Sequence, residues 1–173
     1  NRLYHNSGDG TFTRTTNAVT LSGPGASAGI LADYDKDGYL DLFVPNWGSA
    51  NRLFRNNRDE TFTALSAAVA GPIVSYSGAS TSAAFIDLDE DGFLDAMVTS
   101  AAGSESQFYR NEGNGAFSKF DRTQIGDLDD GVGNWNGQSW GDYDNDGDLD
   151  LVLTDGAARD LRNDAYYRNE GKG

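Results

Sequence analysis

Three segments of this 173-residue chain repeat one arrangement of carboxylates, D-x-D-x-D-G-x-x-D. The first copy places Asp33, Asp35, Asp37, Gly38 and Asp41. The second places Asp87, Asp89, Asp91, Gly92 and Asp95, and the third Asp142, Asp144, Asp146, Gly147 and Asp150. Alternate residues of a tight loop point to one side, so the leading acids of each copy can converge on a centre. The glycine permits the sharp reversal that turns inward the carbonyl of the next residue, Tyr39, Phe93 or Asp148, and the last Asp closes the cage. Such a set of hard oxygens suits Ca²⁺. Mg²⁺ competes for similar ligands but retains waters and seldom takes an all-protein cage. An EF-hand would need an acid at its twelfth position, where this chain has Val44, Val98 and Leu153 inside apolar runs. The pattern therefore predicts three calcium loops that run into strands rather than helices.

A single acidic turn is often no more than a solvated turn. Three in register are a different matter, because carboxylates confined to nine residues repel one another unless a cation sits among them. The net charge of −14 is concentrated there: 14 of the 27 acids lie in the three loops, and the remaining 13 face 12 basic residues elsewhere. The acidity is local, and no basic patch offers itself to nucleic acid. The absence of Cys removes disulfides and thiolate chemistry, and the lone His5 cannot form a histidine metal site. No apolar run approaches the length of a membrane-spanning helix. No Ser and His pair has positional support, and the carboxylates that could serve glycoside chemistry are committed to the loops. A non-catalytic chain is expected.

The elements that must hold these loops are legible in a longer repeat. Asn1-Arg2-Leu3-Tyr4-His5-Asn6, Asn51-Arg52-Leu53-Phe54-Arg55-Asn56, Gln107-Phe108-Tyr109-Arg110-Asn111 and Ala165-Tyr166-Tyr167-Arg168-Asn169 resemble one another, with their final Asn residues 50, 55 and 58 apart. The acidic loops begin 54 and 55 residues apart, in phase with them. A period near 55 with short apolar runs and Gly-rich turns marks β-propeller blades. Each unit reads as four antiparallel strands, A to D. Strand A, rich in small residues, enters the loop; strand B leaves it as Leu40–Val44, Leu94–Val98 and Leu149–Leu153. Strand C is the repeated Leu/Phe-Tyr segment, and strand D a short run such as Thr61-Phe62-Thr63 or Ala116-Phe117-Ser118. The fold class is all-β, with about three four-stranded blades. The expected divisions are strands C and D of a preceding blade over 1–22, blades over 23–70 and 71–123, and over 124–173 a blade lacking its outer strand.

The D-x-D-x-D-G-x-x-D loop between apolar strands, followed by N-R-L-[YF]-x-N and a Gly-rich turn into T-F-T, resembles the FG-GAP or VCBS repeat of integrin α-subunit-like propellers. The resemblance covers essentially the whole chain. It implies a propeller, usually of about seven blades, with one calcium ion in each loop, used for adhesion, ligand binding or scaffolding. A closed ring would need more than twice this length at roughly 55 residues per blade. The chain is thus expected to be part of a larger ring, completed by further blades of the same protein or by identical chains.

Chain direction puts the A–B and C–D turns on one face and the B–C and D–A connections on the other. The second face carries the segments that differ between copies, and a partner is expected there. Trp47 and Trp135, read as lying in the connections 45–50 and 126–137, either stack on a ligand such as a sugar ring or cover a blade edge. Arg159 and Arg162, in the connection 155–164, are further ligand candidates or simply solvated. Trp140, in register with Leu31 and Phe85, reads as core between blades; Asp127, Asp129 and Asp130 miss the loop spacing; His5 aligns with Arg55, Arg110 and Arg168 as a surface position. The expected function is a calcium-stabilised binding or adhesion module with a protein or glycan ligand, without membrane insertion. A structural scaffold or an accessory propeller of a secreted polysaccharide-active enzyme is the alternative. Weak calcium sites fill only outside the cell, so secretion or surface display follows. With no Cys and no N-x-S/T sequon, a bacterial source is expected.

Overall fold

A computed structural model of the chain describes residues 3–15, 25–128, 133–156 and 164–171. Its strands form four antiparallel sheets. The first is a hairpin of β1 (Tyr4–Asn6) and β2 (Phe12–Arg14). The first full blade holds β3 (Ile30–Ala32), β4 (Asp41–Val44), β5 (Arg52–Asn56) and β6 (Phe62–Ala64) in sequential order. The second blade holds β7 (Ser80–Ile86), β8 (Asp95–Ser100), β9 (Gln107–Asn111) and β10 (Phe117–Lys119). The third holds β11 (Trp135–Gly141), β12 (Asp150–Asp155) and β13 (Ala165–Tyr167). Each sheet is an up-and-down meander, the construction of a propeller blade.

Strand B is apolar on both sides because a blade packs on both sides. Successive residues of a strand face opposite ways, and the repeat assigns each way a partner. Phe43 and Leu53 of the first blade meet Ala83, Ala96, Val98 and Tyr109 of the second in one buried cluster. Met97 and Phe108, which stand in register with Phe43 and Leu53, meet Trp135, Leu151 and Leu153 of the third blade in another. Every blade thus offers the middle of strand B forward and its flanking residues backward. The next residues in this series, Val152 and Tyr166, are 37% and 47% exposed, and Tyr143 beside them is 58% exposed. Leu31 is likewise exposed on the backward face of the first blade.

Two features depart from the expected layout. Trp135 does not lie in a connection: it opens β11, pairs with Asp155 across a bulge, and is 4% exposed within the second cluster. The bulge adds length to strand A, and alternation then carries the indole inward. Trp140, expected in the core, is partly buried against the same cluster. The D–A connections also contain one-turn helices, α1 (Ala67–Ala70) and α2 (Arg122–Ile125), each followed by a 3₁₀ turn. Asp121 and Gln124 cap α2 reciprocally. Gly71 ends α1 at φ +76°, where a Cβ would collide with the carbonyl of Phe117, so only glycine lets β10 come this close.

Candidate metal centres

Each acidic loop spans the reversal between strands A and B, and the backbone reason is the same in all three. The leading Asp accepts the N–H of the sixth-position glycine: Gly38 to Asp33 at 2.9 Å, Gly92 to Asp87 at 2.9 Å and Gly147 to Asp142 at 3.1 Å. The fifth-position Asp accepts the N–H of the seventh residue, from Tyr39 at 2.9 Å, Phe93 at 2.8 Å and Asp148 at 3.0 Å. The glycines have φ of +87°, +89° and +102°. The fourth positions, Lys36, Glu90 and Asn145, are also left-handed, with φ of +57°, +58° and +62°. Asn tolerates that conformation best, so the Lys and Glu copies carry a strain that the loop closure must offset.

The closures bring carboxylates together. Asp33, Asp35 and Asp37 converge in the first loop, Asp87, Asp89 and Asp95 in the second, and Asp142, Asp144 and Asp146 in the third, with ligand atoms within 4.8 Å of one another. Asp91, Asp41 and Asp150 stand outside these triads. The ninth-position Asp has a second role in every loop: it accepts the backbone N–H of the Asn that ends strand C. These bonds run from Asn56 to Asp41, Asn111 to Asp95 and Asn169 to Asp150, each at 2.8 Å. The same Asn side chain accepts the N–H two residues on, at Arg58, Gly113 and Gly171, and so starts the C–D turn. This explains the repeated Asn of the N-R-L-[YF]-x-N segment, which spacing alone left without a task.

Buried oxygens test whether a cation fits. Asp35 Oδ1, Asp41 Oδ2, Asp87 Oδ1 and Asp144 Oδ1 are buried and have no hydrogen-bond partner, at least one in each loop. A buried acceptor left unsatisfied costs about 1–3 kcal/mol, more when it is charged. Burial pushes the carboxyls of Asp41 and Asp95 up to about 6. Burial, followed by the neighbouring Asp37, also raises Asp35. These groups resist ionisation on their own and fit a divalent ion among them. The hydrogen bond from Arg58 holds Asp37 low.

Arginines also reach the loops, which the sequence reading did not anticipate. Arg58 pairs with Asp37 at 2.9 Å, Arg110 with Asp89, and Arg168 with Asp144 at 2.9 Å. Arg110 and Arg168 share one strand C position, read from the sequence as mere surface; that both follow a Tyr opposite an acidic loop was the available signal. Exposed pairs of this kind contribute little to stability.

The other expected site residues divide. Trp47 lies in the B–C connection and is half exposed. Its backbone is pinned on both sides, Trp47 N–H donating to the Gly25 carbonyl at 2.6 Å and Gly48 N–H to that of Gly78 at 2.9 Å. Trp135 is buried and has no ring face to offer a ligand. Arg159, Arg162, Asp129 and Asp130 lie outside the described residues, as does the side chain of Asp127.

Known proteins carry the same repeat. The model of the FG-GAP-like repeat matches residues 1–44, 33–98 and 87–153, each match ending in the strand that leaves an acidic loop. The chain belongs to the FG-GAP-like repeat family. Among curated FG-GAP-like relatives, cartilage acidic protein 1 of mouse (Mus musculus) and of human (Homo sapiens) is 27% identical over 99% of this chain. The Xenopus tropicalis protein is 27% identical over 90% of it. The chain spans about a quarter of the length of these relatives, 25–27%. Those relatives are vertebrate proteins and lend no support to a bacterial source. A solved structure of an Agrocybe aegerita lectin, described for specific recognition of non-reducing terminal N-acetylglucosamine, superimposes with a TM-score of 0.55 at 19% identity. It covers 88% of this chain and 40% of the lectin. At that identity the likeness speaks for the fold. Among the described residues no helix is long and apolar enough to cross a membrane.

Proposed function

We propose that this chain is a non-catalytic, calcium-stabilised binding module of an extracellular protein. The observation that supports it best is the buried carboxylate oxygens without partners, at least one in each loop, beside three converging Asp triads. The ions would be held by Asp33, Asp35, Asp37 and Asp41; by Asp87, Asp89, Asp91 and Asp95; and by Asp142, Asp144, Asp146 and Asp150. The carbonyls of Tyr39, Phe93 and Asp148 would complete the three sites. Calcium supplies positive charge that neutralises the clustered acids and ties strand A to strand B.

The ion would act on binding from a distance. Partner contact is assigned to the face opposite the loops, where Trp47 presents a half-exposed ring on a pinned backbone. A ring already held in place loses little freedom on binding, which favours it as an anchor for a protein or glycan. Arg159 and Arg162 remain candidates on that face. The name of the cartilage relatives and the millimolar calcium outside cells both favour an extracellular setting. The lectin relative recognises a sugar, which keeps glycan among the partner classes.

Thermal melting in chelator and in millimolar calcium tests the reading. At about tenfold Kd each site adds roughly 1.4 kcal/mol, so calcium is expected to raise Tm by several degrees. Superimposable curves in the two buffers would sink a structural role for the ion.

A further inference from the structure

The first two acidic loops are joined across the blade boundary at two places. Tyr34, between Asp33 and Asp35 of the first loop, is buried, and the second blade holds both its ring and its carbonyl. The ring lies against Phe117 with centroids 5.7 Å apart. The carbonyl accepts the side-chain amide of Asn111 at 2.8 Å. The backbone N–H of the same Asn111 donates to Asp95 of the second loop at 2.8 Å, and Leu88 N–H holds the other oxygen of Asp95 at 3.0 Å. Asn111 thus touches the backbone between two acids of one loop and the closing acid of the next.

The second place is Lys36, the fourth residue of the first loop. Its ammonium stands 4.3 Å from the centroid of the Phe93 ring and 3.2 Å from where a Cβ on Gly92 would lie. Lys36 has φ +57°, a left-handed conformation that a lysine adopts at a cost, and the cation–π contact offsets part of it. The Phe93 ring in turn lies against Gly113, whose N–H donates to the Asn111 side chain at 3.0 Å. The two joints therefore meet at Asn111. At the next boundary the same loop positions hold Glu90 and Asp148, two acids: desolvation first, then Asp146 and Glu90, keep the Asp148 carboxyl above its ordinary value. Attraction at the first boundary is replaced by like charge at the second.

We propose that the first and second loops bind calcium as a coupled pair, an ion in either one favouring an ion in the other, with Asn111 and the Lys36–Phe93 contact as the joint. This rests on the calcium reading of the loops and adds regulation to it. Asn111 and Phe93 lose their freedom once, whichever loop fills first, so the second filling costs less order. The third loop, across a like-charged boundary, fills without that help.

Calcium titration of the isotopically labelled 173-residue chain tests it, with the amide resonances of Gly38, Gly92 and Gly147 reporting the three loops separately. Asp87→Asn removes a carboxylate of the second triad while keeping an acceptor for Gly92, and Asp142→Asn does the same for Gly147 in the third. The calcium midpoint at Gly38 is expected to rise about fivefold or more in Asp87→Asn and to stay within about twofold in Asp142→Asn. Lys36→Gln, a change of an exposed side chain, should shrink the Asp87→Asn effect, read as a double-mutant cycle. An unchanged Gly38 midpoint in Asp87→Asn would overturn the coupling while leaving the calcium reading intact. Equal effects of Asp87→Asn and Asp142→Asn, or an effect untouched by Lys36→Gln, would overturn the joint. All three glycines unmoved by calcium would sink the calcium reading itself, and this inference with it.

Discussion

The side-chain amide of Asn111 donates to the carbonyl of Tyr34 at 2.8 Å, joining strand C of the second blade to the acidic loop of the first. The same amide reaches the Leu94 carbonyl at 3.1 Å, while its oxygen accepts the Gly113 N–H at 3.0 Å. One buried side chain therefore ties its own loop, its own turn and the neighbouring blade. Asn56, in register, bonds within its own blade among the described residues and is more exposed. Asn111→Ala is expected to cost about 2–4 kcal/mol, and Asn56→Ala about 1 kcal/mol. Urea denaturation checks the pair, and equal small losses would show that the bond between blades contributes nothing.

Asp41→Asn separates the structural role of the ninth position from its role toward an ion. Asn retains an acceptor for the Asn56 N–H but removes a buried charge. Stability in chelator should hold or rise, while the calcium-dependent gain falls by about one site's share, roughly 1.4 kcal/mol at tenfold Kd. Melting curves in both buffers read the two effects separately. An undiminished calcium gain would remove Asp41 from the ligand set.

The pH dependence should reverse with calcium. Burial holds Asp41 and Asp95 at about 6 in the folded chain, against 3.8 for the free side chain. Between those values the native state carries more protons than the unfolded state, so in chelator this contribution to stability grows as pH falls from about 7 toward about 4. With calcium present, protons compete with the ion and the calcium-dependent part of Tm shrinks over the same range. Tm measured at pH 7 and at pH 5, with and without calcium, gives the two signs; parallel behaviour in both buffers would contradict the assignment.

Trp47, in a connection, and Trp135, at the start of β11, should behave oppositely. Trp135→Ala empties a buried site and is expected to cost about 3–5 kcal/mol. Trp47→Ala removes a half-exposed ring from a backbone held by its own hydrogen bonds, so stability should change by about 0.5 kcal/mol or less. If Trp47 anchors a partner, binding to a glycan or protein array is lost in that variant while its melting curve stays put.

The forward face of the third blade should make the chain associate. Val152 and Tyr166 occupy the positions of the buried Met97 and Phe108, yet lie open beside Tyr143, whose ring stacks edge-on with Tyr166 at 4.8 Å. Light scattering is expected to show concentration-dependent association that Val152→Thr with Tyr166→Ser weakens. A monodisperse chain at high concentration would show that this apolar face is too small to drive contact.

The amino-acid sequence by itself determined the loops, the blades and their order. An acidic loop is read from spacing because its carboxylates are neighbours in the chain, and Gly38, Gly92 and Gly147 mark a backbone reversal that is itself local. Strand B was legible because Leu42, Phe43 and Val44 and their repeats are apolar on both faces, which only a strand between two sheets requires. Tertiary structure decided what depends on residues distant in the chain. A bulge opposite Asp155 carried Trp135 into the core, a displacement that composition does not reveal. Asn111 found its partner 77 residues away in another blade, and Arg110 turned onto Asp89 rather than to solvent. Which face of each strand looks forward, and therefore why Met97 is buried while Val152 is not, is a property of the stacking of whole sheets: the residue type is the same kind of apolar side chain, and only a neighbouring blade makes it core.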